Sequence, residues 1–97
     1  MYAAIVTYSP DPAVSKADME ARFEASTPLF ASMPGLVRKY FCYDAERHEG
    51  TSVYIWESKA AADACFDSPQ FQDGFRSAFG CELTIKSVAV RHLVDNS

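Results

Sequence analysis

The 97-residue sequence lacks the features that mark several large classes of protein. Its four glycines are not grouped, so no glycine-rich phosphate-binding loop is present. No basic cluster is longer than Arg38-Lys39 and the net charge is −4, which argues against a nucleic-acid partner. There is no long apolar run and no positively charged leader, so we predict neither a signal peptide nor a membrane association.

Metal-binding and nucleophilic patterns are also missing. The cysteines, Cys42, Cys65 and Cys81, are odd in number and form no C-x-x-C pair. They are typical of buried free thiols in a reducing cytoplasm, which is the predicted location. The two histidines, His48 and His92, are far apart and have no metal-ligand spacing. We therefore predict no metal, haem or flavin cofactor.

What the sequence does contain is a folded core. Hydrophobic residues make up 48% of the chain and aromatic residues 13%, and the length suits one domain, predicted over residues 1–97. The hydrophobic periods predict the order βαββαβ, with the second helix split near Asp67-Ser68-Pro69. This order predicts a ferredoxin-like α+β fold, in which a four-stranded antiparallel sheet carries its helices on one face.

The ends of the elements follow from local signals. Ser15 and Asp18 resemble a capping box at the start of the first helix. Phe71, Phe75 and Phe79 recur at helical spacing and are predicted to be core. The predicted strands are Tyr2 to Tyr8, Leu36 to Tyr43, Thr51 to Glu57 and Glu82 to Val94. The first predicted helix runs from Lys16 to Ser32, the second follows the cap Ser58 and runs to about Phe66, and the third begins at Pro69 and stops at Gly80.

The strands are apolar on both faces, although helices can cover only one. In the last strand, Leu83 and Ile85 point away from Val88 and Val90. A sheet that faces water on one side should instead alternate between apolar and polar residues. The second face therefore needs a cover, and we predict a homodimer.

The hairpin between the second and third strands carries a candidate site. A register centred near Arg47 pairs Arg38 with Trp56 and Tyr40 with Tyr54, on one face. Such a cluster can stack a planar ring and hold an anionic oxygen, so these four residues are predicted to bind a small aromatic molecule. The alternative is that Tyr54 and Trp56 only fill the core and that Arg38 is solvated at a strand end.

Lys39 and His92 are the predicted catalytic residues. In this register Lys39 lies on the opposite face within reach of Glu57, where it forms either a rim ion pair or a contact to an anion or enolate. His92 lies near the end of the last strand and serves either as a base or as a structural residue.

Two segments carry a family resemblance. PGLVRKYF holds Pro34, Gly35 and Lys39, and VYIWESKAAADA holds Tyr54 and Trp56. Together with the element order, they resemble the dimeric α/β-barrel superfamily, and within it the YdhR-type mono-oxygenase group. The chain departs from that group's pattern where a Gly-Gly pair is replaced by Thr and Ser, which narrows any close approach of a ligand there.

The resemblance implies an obligate dimer with two facing sheets and a pocket between sheet and helices in each subunit. Relatives include mono-oxygenases that oxidise phenols or quinols without metal or flavin, using an aromatic pocket, an anion-stabilising donor and a base. Others isomerise lactones or degrade haem, but the haem-degrading branch carries a helix histidine that is missing here.

We therefore predict a cofactor-independent mono-oxygenase that acts on a small aromatic or quinol-like compound. The alternatives are a non-catalytic small-molecule binding module and a structural dimer without a ligand.

Overall fold

The computed structural model describes all 97 residues, and the chain forms four strands and three helices joined by loops. The elements are β1 (Tyr2–Tyr8), α1 (Lys16–Ala31), β2 (Leu36–Asp44), β3 (Glu49–Trp56), α2 (Lys59–Phe66), α3 (Pro69–Phe79) and β4 (Leu83–Ala89). The strands form one antiparallel sheet in the order β2-β3-β1-β4. The predicted ferredoxin-like α+β fold is therefore confirmed.

The helices begin and end at residues that satisfy their free backbone groups. Ser15 and Asp18 form the predicted capping box, because the Asp18 amide donates to the Ser15 hydroxyl at 3.0 Å and the Ser15 amide to the Asp18 carboxylate at 2.9 Å. The Ser58 and Ser68 hydroxyls cap α2 and α3 by accepting from the Ala61 and Phe71 amides. Gly80 ends α3 in the left-handed conformation, with φ 64°. None of the helices is both long and apolar enough to cross a membrane.

The turn between α1 and β2 requires a glycine. Gly35 has φ 76°, and a Cβ atom there would lie 2.5 Å from the Cβ of Ala61 on α2. The Gly35 carbonyl also accepts a hydrogen bond of 2.8 Å from the Glu57 amide. The turn therefore packs directly against the start of α2, at the end of the sheet where Trp56 is buried.

The core lies between the helices and one face of the sheet. Trp56, Met19 and Val6 are its largest fully buried side chains. The other members of the buried cluster are Ala4, Tyr8, Val14, Tyr54, Ala62, Cys65 and Phe66. Strand and helix residues are both represented, so the helices cover the same face of the sheet.

We call the opposite face of the sheet the outer face. Its side chains form three cross-strand rows, in the order β2-β3-β1-β4: Arg38, Ile55, Ala3, Val88; then Tyr40, Val53, Ile5, Lys86; then Cys42, Thr51, Thr7, Thr84. Ile5, Tyr40 and Val88 are 43%, 48% and 57% exposed. The predicted two-sided apolar character of the sheet is therefore present, and charges stand only at its two edges.

The predicted register of the β2–β3 hairpin is wrong by one residue. Lys39 pairs with Tyr54, and Arg38 pairs with Ile55. The turn explains the difference, because the Asp44 carboxylate accepts from the Glu46 and Arg47 amides at 3.0 and 3.2 Å, and the turn is centred half a residue earlier than predicted. A shift of one residue moves every side chain to the other face. An irregularity between Leu36 and Arg38 shifts the register once more, so that Leu36 pairs with Trp56.

The last strand ends at Ala89 and not at Val94 as predicted. Its partner β1 begins at Tyr2, which pairs with Ala89, so little backbone remains beyond that point. One further hydrogen bond joins the Val90 amide to the Met1 carbonyl at 3.0 Å. Residues 90–97, which include His92, therefore continue without regular structure.

Candidate functional site

A cavity of about 200 Å³ lies between the sheet and helices α1 and α3. Eight of its sixteen lining residues are aromatic: Tyr8, Phe23, Phe30, Phe41, Tyr54, Phe71, Phe75 and Phe79. The polar lining residues are Arg22, Ser26, Lys39, Ser52 and Gln70. An apolar cavity of about 150 Å³ holds benzene, so this volume suits a substituted aromatic ring.

The cavity opens between α1 and α3. Its most exposed lining residues are Leu29 on α1 and Gln70 and Gly74 on α3. Leu29 is 61% exposed, and an added Cβ at Gly74 would meet no atom within 4 Å. We call the gap between these residues the mouth of the cavity.

Lys39 places a single amine among the aromatic rings. Its Nζ lies 3.4 Å from the ring centroid of Phe30, 4.0 Å from that of Phe41 and 4.6 Å from that of Tyr54. The rim ion pair with Glu57, one of the two alternatives predicted for Lys39, does not form, because none of the ion pairs in the chain includes Lys39. No carboxylate lines the cavity either. The register explains this, since Lys39 faces the helices, not the sheet rim.

The surroundings change how Lys39 holds its proton. Burial lowers the pKa of Lys39 to about 7, and the nearby Cys65 thiol acts weakly in the opposite direction. The three ring faces attract an ammonium and so favour the charged form against burial. Lys39 can therefore exchange a proton near neutral pH, as a general base must.

Tyr54 and Trp56 are both buried but play different parts. Tyr54 lines the cavity, whereas Trp56 lies beneath it, with the two rings parallel and their centroids 5.8 Å apart. Phe66 packs edge-on against both, at 5.0 and 5.6 Å. Burial raises the pKa of the Tyr54 hydroxyl, which has no hydrogen-bond partner in the chain. The buried Trp56 Nε1 is also without a partner. Trp56 is not among the residues that line this cavity, and it packs against Tyr54, which is. Its contact with a ligand stays a prediction.

The far wall of the cavity depends on Gly50. Tyr8 packs flat on this glycine, where a Cβ atom would come within 2.1 Å of the Tyr8 ring. Tyr8 in turn contacts Phe75 and Phe79, with centroid distances of 4.7 and 4.9 Å. Gly50 thus makes room for a side chain of the wall and not for a ligand.

Three predicted site residues lie away from the cavity. Arg38 and Tyr40 are on the outer face, where the Arg38 guanidinium donates to the Tyr40 hydroxyl at 3.3 Å. His92 is exposed in the C-terminal segment. The predicted cluster of Arg38, Tyr40, Tyr54 and Trp56 is therefore divided between two faces of the sheet.

Several cavity residues were missed by sequence reasoning. The α3 phenylalanines were predicted to be core, but none is fully buried, and they form one wall of the cavity. Phe23 and Phe41 face each other at 5.1 Å between α1 and β2. The sequence signal that could have predicted this aromatic cavity was the large number of phenylalanines on α1 and α3, two helices that cover the same face of the sheet.

No three His, Cys, Asp or Glu side chains form a group that could hold a metal ion. The three cysteines are free, and only Cys65 is buried as predicted, since Cys42 is on the outer face and Cys81 is half-buried. His48 is occupied in the hairpin turn, where Nδ1 is 2.6 Å from the Tyr43 hydroxyl and Nε2 is 3.0 Å from the Asp11 carbonyl.

Known proteins share this fold over nearly the whole chain. SnoaB, a cofactor-independent oxygenase from Streptomyces nogalater, is 16% identical with a TM-score of 0.73, over 96% of this chain and 95% of that one. The ActVA-Orf6 monooxygenase of Streptomyces coelicolor, solved with nanaomycin D, is 17% identical with a TM-score of 0.69, over 99% and 92%. Rv0793 from Mycobacterium tuberculosis is 19% identical with a TM-score of 0.69, over 99% and 98%.

These identities are low, so the structural likeness shows the fold alone. No curated protein matches the sequence significantly. A family model described as antibiotic biosynthesis monooxygenase, however, matches residues 1–77, from β1 into α3. Because this match covers most of the chain, the protein belongs to the antibiotic biosynthesis monooxygenase family.

Proposed function

We propose that this protein is a cofactor-independent mono-oxygenase that acts on a small aromatic or quinol-like compound. The observation that carries the proposal is the Lys39 amine, which stands without an acidic partner among the rings of an aromatic cavity. Membership of a monooxygenase family supports the reaction type, and the volume and lining of the cavity support the substrate class.

In this proposal the substrate supplies its own electrons. The Lys39 amine takes the proton of a phenol or enol, and the resulting ammonium holds the substrate anion. The anion then passes an electron to dioxygen. The aromatic walls exclude water, which strengthens the ammonium–anion attraction. Arg22, which also lines the cavity, adds positive charge, and no lining carboxylate competes for the substrate's place.

We also propose that the protein is a homodimer that joins two outer faces. Two apolar rows of the outer face are uncovered in the single chain, and a second copy offers the same surface. In such a dimer Arg38 and Tyr40 would lie at the interface, so any role of theirs in binding would depend on the partner.

Two finer assignments belong with this proposal. We place the chain in the YdhR-type group on the basis of the Pro-Gly turn, Lys39 and the Tyr-x-Trp strand. We place it in the cytoplasm because its three cysteines are all free.

Oxygen consumption with a panel of phenols and quinols tests the proposal. We expect at least one compound to be oxidised, with rates that fall by about 10²–10⁴-fold in Lys39→Met because that variant lacks the base. The rate should rise with pH through about 7 in the wild type, as Lys39 loses its proton. Elemental analysis of the active sample should find no stoichiometric metal.

The second candidate is a binding module without turnover. The observation that favours it is the same Lys39 amine, which has no acidic partner and could hold an anionic aromatic ligand without any reaction. Saturable binding of a phenol or aromatic carboxylate, with no oxygen uptake from any compound in the panel, would favour this candidate over the mono-oxygenase. A lack of both binding and turnover would leave the structural dimer.

A further inference from the structure

The position of Lys39 suits a second kind of chemistry, which does not involve oxygen. A lysine is a nucleophile only as the neutral amine, and a desolvated lysine in an apolar pocket is the usual source of such an amine in enzymes that form Schiff bases. Lys39 Nζ faces three aromatic rings, within about 5 Å of each centroid, and no carboxylate lines its cavity.

The other three lysines have different surroundings. Lys59 donates to the Asp63 carboxylate at 2.6 Å, which raises the pKa of Lys59. Lys16 and Lys86 are exposed. Among the four lysines, only Lys39 lies in an apolar cavity whose volume suits an aromatic ring.

We infer that Lys39 captures aromatic aldehydes that enter the cavity by forming a Schiff base with them. The amine lone pair attacks the carbonyl carbon and a C–N bond forms. The carbonyl oxygen then leaves as water together with the two amine protons, and a C=N bond remains. The step is reversible and needs no oxidant or reductant. Lys39 Nζ occupies the space among Phe30, Phe41 and Tyr54. The aromatic ring of the aldehyde therefore lies against the α3 rings of the same cavity, Phe71, Phe75 and Phe79, with its carbonyl carbon toward Lys39 Nζ.

This activity is independent of the proposed oxygenation, because it uses the nucleophilicity of the amine and not its basicity toward a phenol. It is also chemically compatible with it, since both need an uncharged Lys39 and an empty aromatic cavity. The other titratable groups that line the cavity are Arg22 from α1, Tyr8 from β1 and Tyr54 from β3, and the Cys65 thiol from α2 lies close enough to raise the pKa of Lys39.

Reductive trapping tests the inference on the full chain. The wild-type protein is incubated with benzaldehyde and sodium cyanoborohydride at pH 7 under nitrogen, so that any Schiff base is reduced to a stable benzylamine. Peptide mapping by mass spectrometry then measures benzylation at each of the four lysines and at the Met1 amine. We expect Lys39 to react roughly 10²-fold faster than Lys59, because an ordinary lysine is neutral for only about one molecule in 10³ at this pH.

A competitor and two variants complete the experiment. Phenol, which has the ring but no carbonyl, should slow the labelling of Lys39 and leave that of Met1 unchanged. In Lys39→Arg no lysine should be benzylated rapidly, whereas in the matched exposed variant Lys59→Arg the rapid benzylation of Lys39 should remain.

Labelling of Lys39 no faster than that of Lys59, or fast labelling that phenol does not slow, would overturn the inference. The first result needs only the wild-type protein, so a variant that fails to fold does not affect it. Oxygen uptake is measured separately, in air, with the panel of phenols and quinols. Fast labelling of Lys39 in a protein that oxidises no compound of the panel supports this inference and counts against the proposed function, and the reverse pattern does the opposite.

Discussion

Arg38 and Lys39 are neighbours in sequence, carry the same charge, and experience opposite environments. Lys39 faces the helices and lies among three rings, and burial lowers its pKa to about 7. Arg38 faces the outer side and donates to the Tyr40 hydroxyl, and this hydrogen bond raises its pKa. The one that can lose its proton near neutral pH is therefore the one inside the cavity, since a guanidinium remains charged under all ordinary conditions.

The same contrast runs across the whole sheet. The helix-facing side combines small residues such as Gly50 and Ser52 with large rings, and their difference in size leaves the cavity open. The outer side is even and uncovered, with Val53 and Ile5 near its centre. An even apolar surface suits a second copy of the chain, whereas an uneven one that encloses a space suits a small molecule.

The outer face can be tested by placing a charge at its centre. Val53→Asp puts a carboxylate between Tyr40 and Ile5, in the middle of the proposed interface. An unpaired buried charge costs several kcal/mol, so the dimer should dissociate at micromolar concentration. Sedimentation should then give the mass of one chain, where the wild type gives two.

Val37→Asp is the matched control, because Val37 is 51% exposed at the irregularity in the edge strand β2. It should leave the dimer intact. A wild type that sediments as one chain, or a Val53→Asp variant that remains dimeric, would show that the outer face does not join two copies.

The cavity side can be tested by the dependence of stability on pH. Lys39 has a pKa of about 7 in the folded chain and about 10.4 when unfolded, so between these values the unfolded chain binds the extra proton. The free energy of unfolding should therefore rise as the pH increases from 7 to 8.5, by about 2 kcal/mol, whereas below pH 7 both forms are protonated and the contribution is constant. Denaturant titrations at each pH measure the rise.

Lys39→Met should abolish this rise, and the exposed-lysine variant Lys16→Met should keep it. Cys65 and Tyr54 act in the opposite direction at higher pH, because burial raises their pKa values. The comparison between wild type and Lys39→Met below pH 8.5 separates the lysine from them. Equal slopes in both proteins would mean that Lys39 is solvated.

The order of the elements and the position of the caps could be predicted because they depend on local signals. The Ser15–Asp18 box, the split at Ser68 and Pro69, and the stop at Gly80 each act within one turn of helix. The two-sided apolar pattern likewise predicted an uncovered face. Such features need no knowledge of which strands pair.

The hairpin register and the end of β4 depend on more distant contacts. The register follows from the Asp44 carboxylate and from His48, which adopts φ 52° in the turn. The end of β4 depends on where β1 begins. Because the predicted hairpin register was wrong by one residue, Arg38 was predicted to lie beside Tyr54, where the structure has Lys39. Both residues and Tyr54 had been identified as candidates.

Tyr54 and Trp56 allow a finer comparison within the cavity side. Tyr54→Phe removes a hydroxyl without a partner in the chain, so its cost to stability should stay below about 1 kcal/mol. Affinity for a phenol should nevertheless fall several-fold, because Tyr54 lines the cavity. Trp56→Phe should lower the free energy of unfolding by about 1–3 kcal/mol through lost packing. The loss is partly offset because the buried, unpartnered Nε1 is removed. The affinity for phenol should be nearly unchanged.

Melting temperature and calorimetric affinity for phenol, measured on both variants, check this pair. A larger loss of affinity in Trp56→Phe than in Tyr54→Phe would mean that Trp56, and not Tyr54, contacts the ligand.

Gly74 offers the smallest and most local change, at the mouth of the cavity. It lies in the middle of α3, where glycine costs about 0.5–1 kcal/mol relative to alanine, and an added Cβ there meets no other atom. Gly74→Ala should therefore stabilise the protein by about that amount and leave ligand entry unchanged.

Gly74→Leu should gain similar helix stability, but its side chain extends over the gap beside Gln70 and Leu29, so phenol should enter more slowly. Ser77→Leu, at an exposed position of the same helix outside the cavity lining, is the control and should not affect entry. Denaturant titration and stopped-flow binding measure the two effects separately, and an unchanged association rate in Gly74→Leu would show that ligands reach Lys39 by another route.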